Sequence, residues 1–155
     1  MSRKLLLVVA HAPSPNTARL RDALLEGIAG AAAEQLELRC LTPFDAGPDE
    51  VRAASGILLS TPENLGYMSG ALKDFFDRIY YPCLELTQGL PYALQVRAGN
   101  DGSGTVRAVE SIATGLRWRR VQDALVCRGE YREEWGQQCR ELGAAFALGL
   151  DAGIL

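Results

Sequence analysis

The chain reads as a doubly wound α/β domain, a parallel sheet with helices on both faces. Three observations predict it. The run "KLLLVVA" near the start is continuously apolar, as a strand buried on both faces requires. Strand-like and helix-like stretches then alternate five times along the 155 residues. Turn-rich or glycine-rich segments follow the first, third and fourth strands, at the end of the sheet where such folds bind ligands.

Taken in order, the first strand is followed by a helix from Asn16 to about Glu34. There Leu20, Leu24, Ile28 and Ala31 recur at helical spacing, and Arg19, Arg21, Asp22 and Glu26 face out. Leu36 to Leu41 alternates with charges and predicts an edge-like second strand. A turn-rich loop, 43–49, leads to a short helix around Glu50–Ala54, and Gly56–Ser60 is strand three. "TPENLGYMSG" is read as a loop, and the helix after it, carrying Leu72, Phe75, Phe76 and Ile79, is expected to stop near Tyr81 because Pro82 cannot donate the next hydrogen bond. "YALQV" is strand four and "RVQDALVC" strand five, with a helix carrying Val106, Val109, Ile112, Ala113 and Leu116 between them. The last helix runs from about Arg132 to Leu150. No repeat, linker or low-complexity segment interrupts this order, so residues 1–155 are read as one domain.

Composition narrows the function classes. A chain of this size buries roughly 70% of the surface its unfolded form exposes, which is enough for one core without staples. The formal charge of −3 and pI near 5.2 give no broad attraction to nucleic acid or anionic lipid. Arg117, Arg119 and Arg120 cluster around Trp118, which reads as a helix end entering a strand rather than an anion site. Cys40, Cys83, Cys127 and Cys139 are scattered with no C-x-x-C pair, so neither zinc nor a dithiol motif is signalled, and reduced thiols in the cytoplasm are expected. The N-terminal apolar run is too short for a signal peptide and no stretch is long enough to span a membrane.

Three loops therefore share one predicted rim. "HAPSPNT" offers the hydroxyls of Ser14 and Thr17, the amide of Asn16 and the free N–H groups of a helix start, which favour an anion. The same residues also serve as ordinary caps, and both readings stand. G-x-x-x-x-G-K-[ST] and G-x-G-x-x-G are absent, so a monophosphate fits better than a pyrophosphate. "TPENLGYMSG" has polar ends and an apolar middle: its backbone can read the edge of a flat ring while Leu65, Tyr67 and Met68 cover part of it. Gly66 and Gly70 allow close approach or positive φ. Tyr67 and Met68 equally suit a helix-start core. Gly99, Asn100, Asp101 and Gly102 can present several N–H groups to one ligand edge, or form a plain turn. His11, the only histidine, has no acid or thiol partner in sequence. It is read as an incidental strand-end residue, a phosphate or solvent contact, or, last, a catalytic group.

The sequence also resembles the flavodoxin-like superfamily, in particular its NADPH-dependent FMN reductase and NAD(P)H:quinone oxidoreductase families. "HAPSPNTARL" is similar to their FMN phosphate loop, with His11 and Pro13 where serine, glycine or threonine is common. "TPENLGYMSGALKDFFDR" is similar to their ring-binding segment at Thr61, Pro62, Gly66, Met68, Ser69, Gly70, Leu72, Lys73, Phe75, Asp77 and Arg78. The resemblance implies a five-stranded sheet of order 2-1-3-4-5 and an FMN whose phosphate sits on Ser14, Asn16 and Thr17, with His11 beside them. It implies a ring held by Pro62, Glu63, Asn64, Leu65, Gly66, Tyr67 and Met68, and by Gly99 to Gly102. It further implies NAD(P)H as co-substrate, a quinone or flavin as acceptor, flavin-centred chemistry without a side-chain acid or base, no metal, and a homodimer or tetramer. Two other functions suit the fold: a non-enzymatic FMN electron carrier, and a binding or regulatory domain without cofactor.

Overall fold

The computed structural model describes residues 3–155. Its strands are β1 (Lys4–Ala10), β2 (Leu36–Leu41), β3 (Gly56–Asn64), β4 (Tyr67–Met68), β5 (Pro91–Ala98), β6 (Arg119–Arg120) and β7 (Leu125–Arg128). Its helices are α1 (Pro15–Gly30), α2 (Pro48–Ala53), α3 (Gly70–Cys83), α4 (Ser103–Gly115) and α5 (Glu133–Ala152). The path through the sheet is β2-β1-β3-β5-β6, with β7 also on β5 and β4 on β3. Because β6 and β7 are two pieces of the expected fifth strand, the order is the 2-1-3-4-5 that the resemblance implied. All pairings are parallel except the short β3–β4 ladder.

Alternation along the strands builds two apolar layers. Leu7, Val9, Ile57 and Leu59 point toward Phe75, Phe76 and Ile79 of α3 and Val109 of α4. Leu6, Val8 and Leu58 point toward Leu20 and Leu24 of α1 and Phe146 of α5. A strand with both faces covered must be apolar at every position, and this is why β1 carries no alternation.

Four expectations change in detail. α1 ends at Gly30 rather than Glu34: Leu36 already pairs with Lys4, so the reversal must occupy the residues between, and Ala32 turns it at φ 55°. Pro82 does not stop α3. It lies one residue from the end, where its missing N–H forfeits a single bond, and Leu84 N–H closes the turn on Tyr81 O at 3.3 Å. The fifth strand is split, since it advances from Arg120 to Leu125 while β5 advances only from Tyr92 to Gln95, so Gln122–Ala124 bulge out. Finally, 61–68 is mostly sheet: Thr61 and Pro62 continue the β5 ladder, and Glu63 and Asn64 pair back onto Met68 and Tyr67.

Among the described residues no helix is long and apolar enough to cross a membrane, and no three His, Cys, Asp or Glu side chains gather as metal ligands.

Candidate functional site

At the start of α1 the hydroxyl-bearing residues are turned toward each other. Thr17 N–H donates to Ser14 Oγ at 3.2 Å, Ser14 N–H donates to Thr17 Oγ1 at 3.0 Å, and the two hydroxyls lie 2.9 Å apart. This reciprocal cap satisfies two orphan donors of the helix start. Pro13 and Pro15 contribute no N–H. The first loop is thus poor in free backbone donors, and its polar reach comes from side chains. Asn16 is half-buried and, among the described residues, its side chain has no hydrogen bond. His11 Nδ1 is buried and unpartnered, and burial pushes the imidazole below its ordinary pKa, toward the neutral form.

The second loop is a tight hairpin. Leu65 and Gly66 form its two-residue turn with φ 54° and 75°, the positive pair of a type I′ connection, which favours Asn-Gly. Leu65 is fully exposed, at 105%, and Tyr67 is 40% exposed, so the tip projects an apolar surface into solvent. Met68 is only 2% exposed and packs in the α3 layer. Its side chain belongs to the core, and only its backbone faces the hairpin. Thr61 and Pro62 are buried; Thr61 Oγ1 donates to Pro62 O at 2.9 Å and accepts Ser69 N–H at 3.2 Å, which fixes the hairpin base to the start of α3.

The third loop is joined to the second at two places. Glu63 Oε1 accepts Asn100 N–H at 2.8 Å and Glu63 Oε2 accepts Gly102 N–H at 2.9 Å. A Cβ on Gly104 would stand 2.0 Å from the carbonyl oxygen of Gly66, so α4 approaches the hairpin turn as closely as only glycine permits. Gly99, Asn100 and Asp101 are exposed. Asp101 accepts both the N–H and the hydroxyl of Ser103, at 3.0 and 2.9 Å, which hold its carboxyl below the usual range.

The structure therefore brings Glu63–Tyr67 and Gly99–Gly102 together as one unit. His11 N–H donates to Ser60 O at 2.9 Å, so the first loop starts beside β3. Two features were missed in sequence. Phe44, 64% exposed on the loop after β2, sets its ring edge-on to His11 at 6.4 Å; an exposed aromatic between Pro43 and Asp45 was the available signal. Beneath the rim, Ser60 Oγ donates to Gln95 Oε1 at 2.6 Å, leaving Gln95 Nε2 buried and unpartnered. The one amide inside "YALQV" was the sign of it.

Residues 41–131 match the family described as NADPH-dependent FMN reductase. No curated protein matches the chain at a significant level. Among solved structures, a flavodoxin from the domain Archaea superposes with a TM-score of 0.80 at 18% identity, over 94% of this chain and 98% of the other. The two-electron reduced flavodoxin of Megasphaera elsdenii gives 0.76 at 16%, over 92% and 98%. The flavodoxin, WrbA-like protein of Agrobacterium tumefaciens gives 0.74 at 22%, over 95% and 97%. These likenesses bear on the fold. The family match spans more than half of the chain and contains both the hairpin and the third loop, and the protein belongs to the NADPH-dependent FMN reductase family.

Proposed function

We propose that the protein is an FMN-dependent oxidoreductase that takes hydride from NAD(P)H at flavin N5 and passes electrons to a quinone, flavin or similar acceptor. The observation that carries the reading is the Glu63 bridge, which joins an exposed apolar hairpin tip to a glycine-rich loop within the span of the family match. FMN, when bound, supplies the hydride-accepting ring; the chain supplies position and access.

The residues at the rim fit such a group. The hydroxyl of Ser14, the amide of Asn16 and the orphaned Nδ1 of His11 when it carries the proton are donors for the oxygens of a phosphate ester, and the Thr17 hydroxyl, which donates to Ser14 O at 3.0 Å, holds Ser14 in place. Asn64, Leu65, Gly66 and Tyr67 offer backbone and apolar surface to the ring, with Pro62 and Met68 shaping the hairpin from below. Glu63 already holds two of the third-loop N–H groups, so Gly99 to Gly102 contribute the remaining backbone of that edge. A cytoplasmic setting and a homodimer or tetramer belong to the same reading, with the exposed Tyr81 and Leu86 at the end of α3 as the surface for a second copy.

The test is spectral. Purified protein titrated with FMN should bind it, and NADPH or NADH mixed with the loaded protein should bleach the flavin on a catalytic timescale. Binding without bleaching would identify an electron carrier. Absence of binding at micromolar FMN would identify a cofactor-free domain, a second reading favoured by the two prolines of the first loop. Asn16→Ala should weaken FMN binding without touching the Ser14–Thr17 cap, and unchanged affinity would place the phosphate elsewhere.

A further inference from the structure

Arg107 stands between two cavities on the outer side of α4. One, of about 470 Å³, is lined by Ser103, Arg107, Arg120 and Arg128 along with three carboxylates. The other, of about 480 Å³, lies under the hairpin tip and is lined by Gly66, Tyr67, Gly104, Ala108, Ile112 and again Arg107. Helical spacing produces this division. Ser103 and Arg107, one turn apart, face the first cavity, and Gly104, Ala108, Ser111 and Ile112 line the second. The guanidinium therefore marks the border between a polar trough and an apolar one.

The charges in the polar trough differ in availability. Arg120 donates to Glu110 at 2.7 Å and lies 3.6 Å from Asp123. Asp101 is engaged by Ser103. Arg128 donates to the carbonyl oxygen of Asp101 at 3.1 Å and, among the described residues, has no carboxylate partner. Arg107 is exposed and, among the described residues, has neither an ion pair nor a hydrogen bond. A free guanidinium takes a phosphate bidentately. The half-exposed ring of Tyr67, with Ile112, supplies a wall for a flat base. Sites selective for NAD meet the ribose 2′-hydroxyl with a carboxylate, whereas sites for NADP place an arginine there. Here Asp101 and Glu110 are engaged by Ser103 and Arg120, Asp123 projects into solvent 3.6 Å from Arg120, and Arg107 is free.

We propose that this trough is the phosphate subsite for the pyridine nucleotide, with Arg107 and Arg128 on the 2′-phosphate of NADPH and the adenine against Tyr67 and Ile112. Arg107 is then the residue that separates NADPH from NADH. The proposal rests on the reductase reading above, and about 470 Å³ lies within the roughly 300 to 1,000 Å³ of ordinary ligand sites.

The experiment compares wild type, Arg107→Ala and Arg107→Lys. In stopped-flow bleaching of the FMN-loaded proteins, Arg107→Ala should raise the half-saturating NADPH concentration about tenfold or more at an unchanged limiting rate. Arg107→Lys should recover part of the loss, and NADH should change less than about twofold. By calorimetry on cofactor-free protein, 2′,5′-ADP should bind about tenfold or more tightly than 5′-AMP, and Arg107→Ala should erase the difference. Failure of the wild type to bleach with either nucleotide would sink the reductase reading, and the calorimetric arm would then decide the trough by itself. Equal losses for NADPH and NADH, or equal binding of 2′,5′-ADP and 5′-AMP, would overturn the subsite.

Discussion

Glu63 and Gly102, thirty-nine residues apart, are joined by a carboxylate-to-backbone hydrogen bond of 2.9 Å, and the other oxygen of Glu63 takes Asn100 N–H at 2.8 Å. A carboxylate accepting two backbone donors is a charge-assisted pair of bonds, stronger than neutral ones. It ties the hairpin after β3 to the loop after β5. Replacing Glu63 with Ala should lower stability to urea by about 1–2 kcal/mol, the bonds being partly solvent-exposed. It should also speed amide exchange at Asn100 and Gly102 and weaken FMN binding. Glu63→Gln keeps one acceptor and should fall between. Exchange rates unaltered in Glu63→Ala would mean that the two loops are held together by something else.

Gly104 and Gly66 make the second tie. A methyl group on Gly104 would meet backbone at 2.0 Å, and backbone cannot rotate away as a side chain can. Gly104→Ala should therefore cost about 1–3 kcal/mol and push α4 from the hairpin. Gly70→Ala is the matched control. A Cβ there meets nothing within 4 Å at ordinary φ, so its unfolding midpoint should stay level or rise. Equal midpoints for the two variants would argue against the close approach.

Leu65 is costly to the fold that carries it. A bulky residue at φ 54°, with no burial in return, is strained where Asn would rest easily. Leu65→Asn should raise stability by about 0.5–1 kcal/mol. Under the proposed function the same change should weaken FMN binding or slow flavin reduction, because the apolar tip is what the ring or the acceptor meets. A variant that gained stability and kept full affinity and rate would remove Leu65 from the site.

Much of this was legible in the sequence, for physical reasons. A strand covered on both faces cannot alternate, so β1, β3 and β5 declared themselves as apolar runs, and the five repeated units set the topology. The hairpin at 61–68 was hidden because Pro62, Glu63 and Asn64 have poor strand propensity, and Thr61 is the one strand former among the four. They are held in the sheet by β5 and by the turn at Leu65–Gly66. Glu63 drew notice as a ring-loop residue, but its bond to Asn100 and Gly102 depends on the lateral neighbourhood of β3 and β5, which no local pattern encodes. Ser14 and Thr17 show the opposite limit. Their spacing reads alike as cap or phosphate contact, and the cap forms in the structure.

Tyr92 gives a pH signature of the α4 side of the sheet. It is 3% exposed, packed against Trp118 with ring centroids 6.1 Å apart. Burial, followed by the nearby Glu110 and opposed by Arg120, pushes its phenol up to about 12 from an ordinary value of 10. Below pH 10 the phenol is neutral in both folded and unfolded chains, and its contribution is fully present. Between pH 10 and about 12 the unfolded chain loses this proton while the folded chain retains it, so stability falls as pH rises. Tyr92→Phe removes the titration. The difference in urea midpoint between wild type and variant should be constant from pH 8 to 9.5 and then move steadily in favour of the variant toward pH 12. A difference that stayed flat across that window would mean that the hydroxyl reaches water in solution and that the cover given by Trp118 and α4 is looser than the packing here.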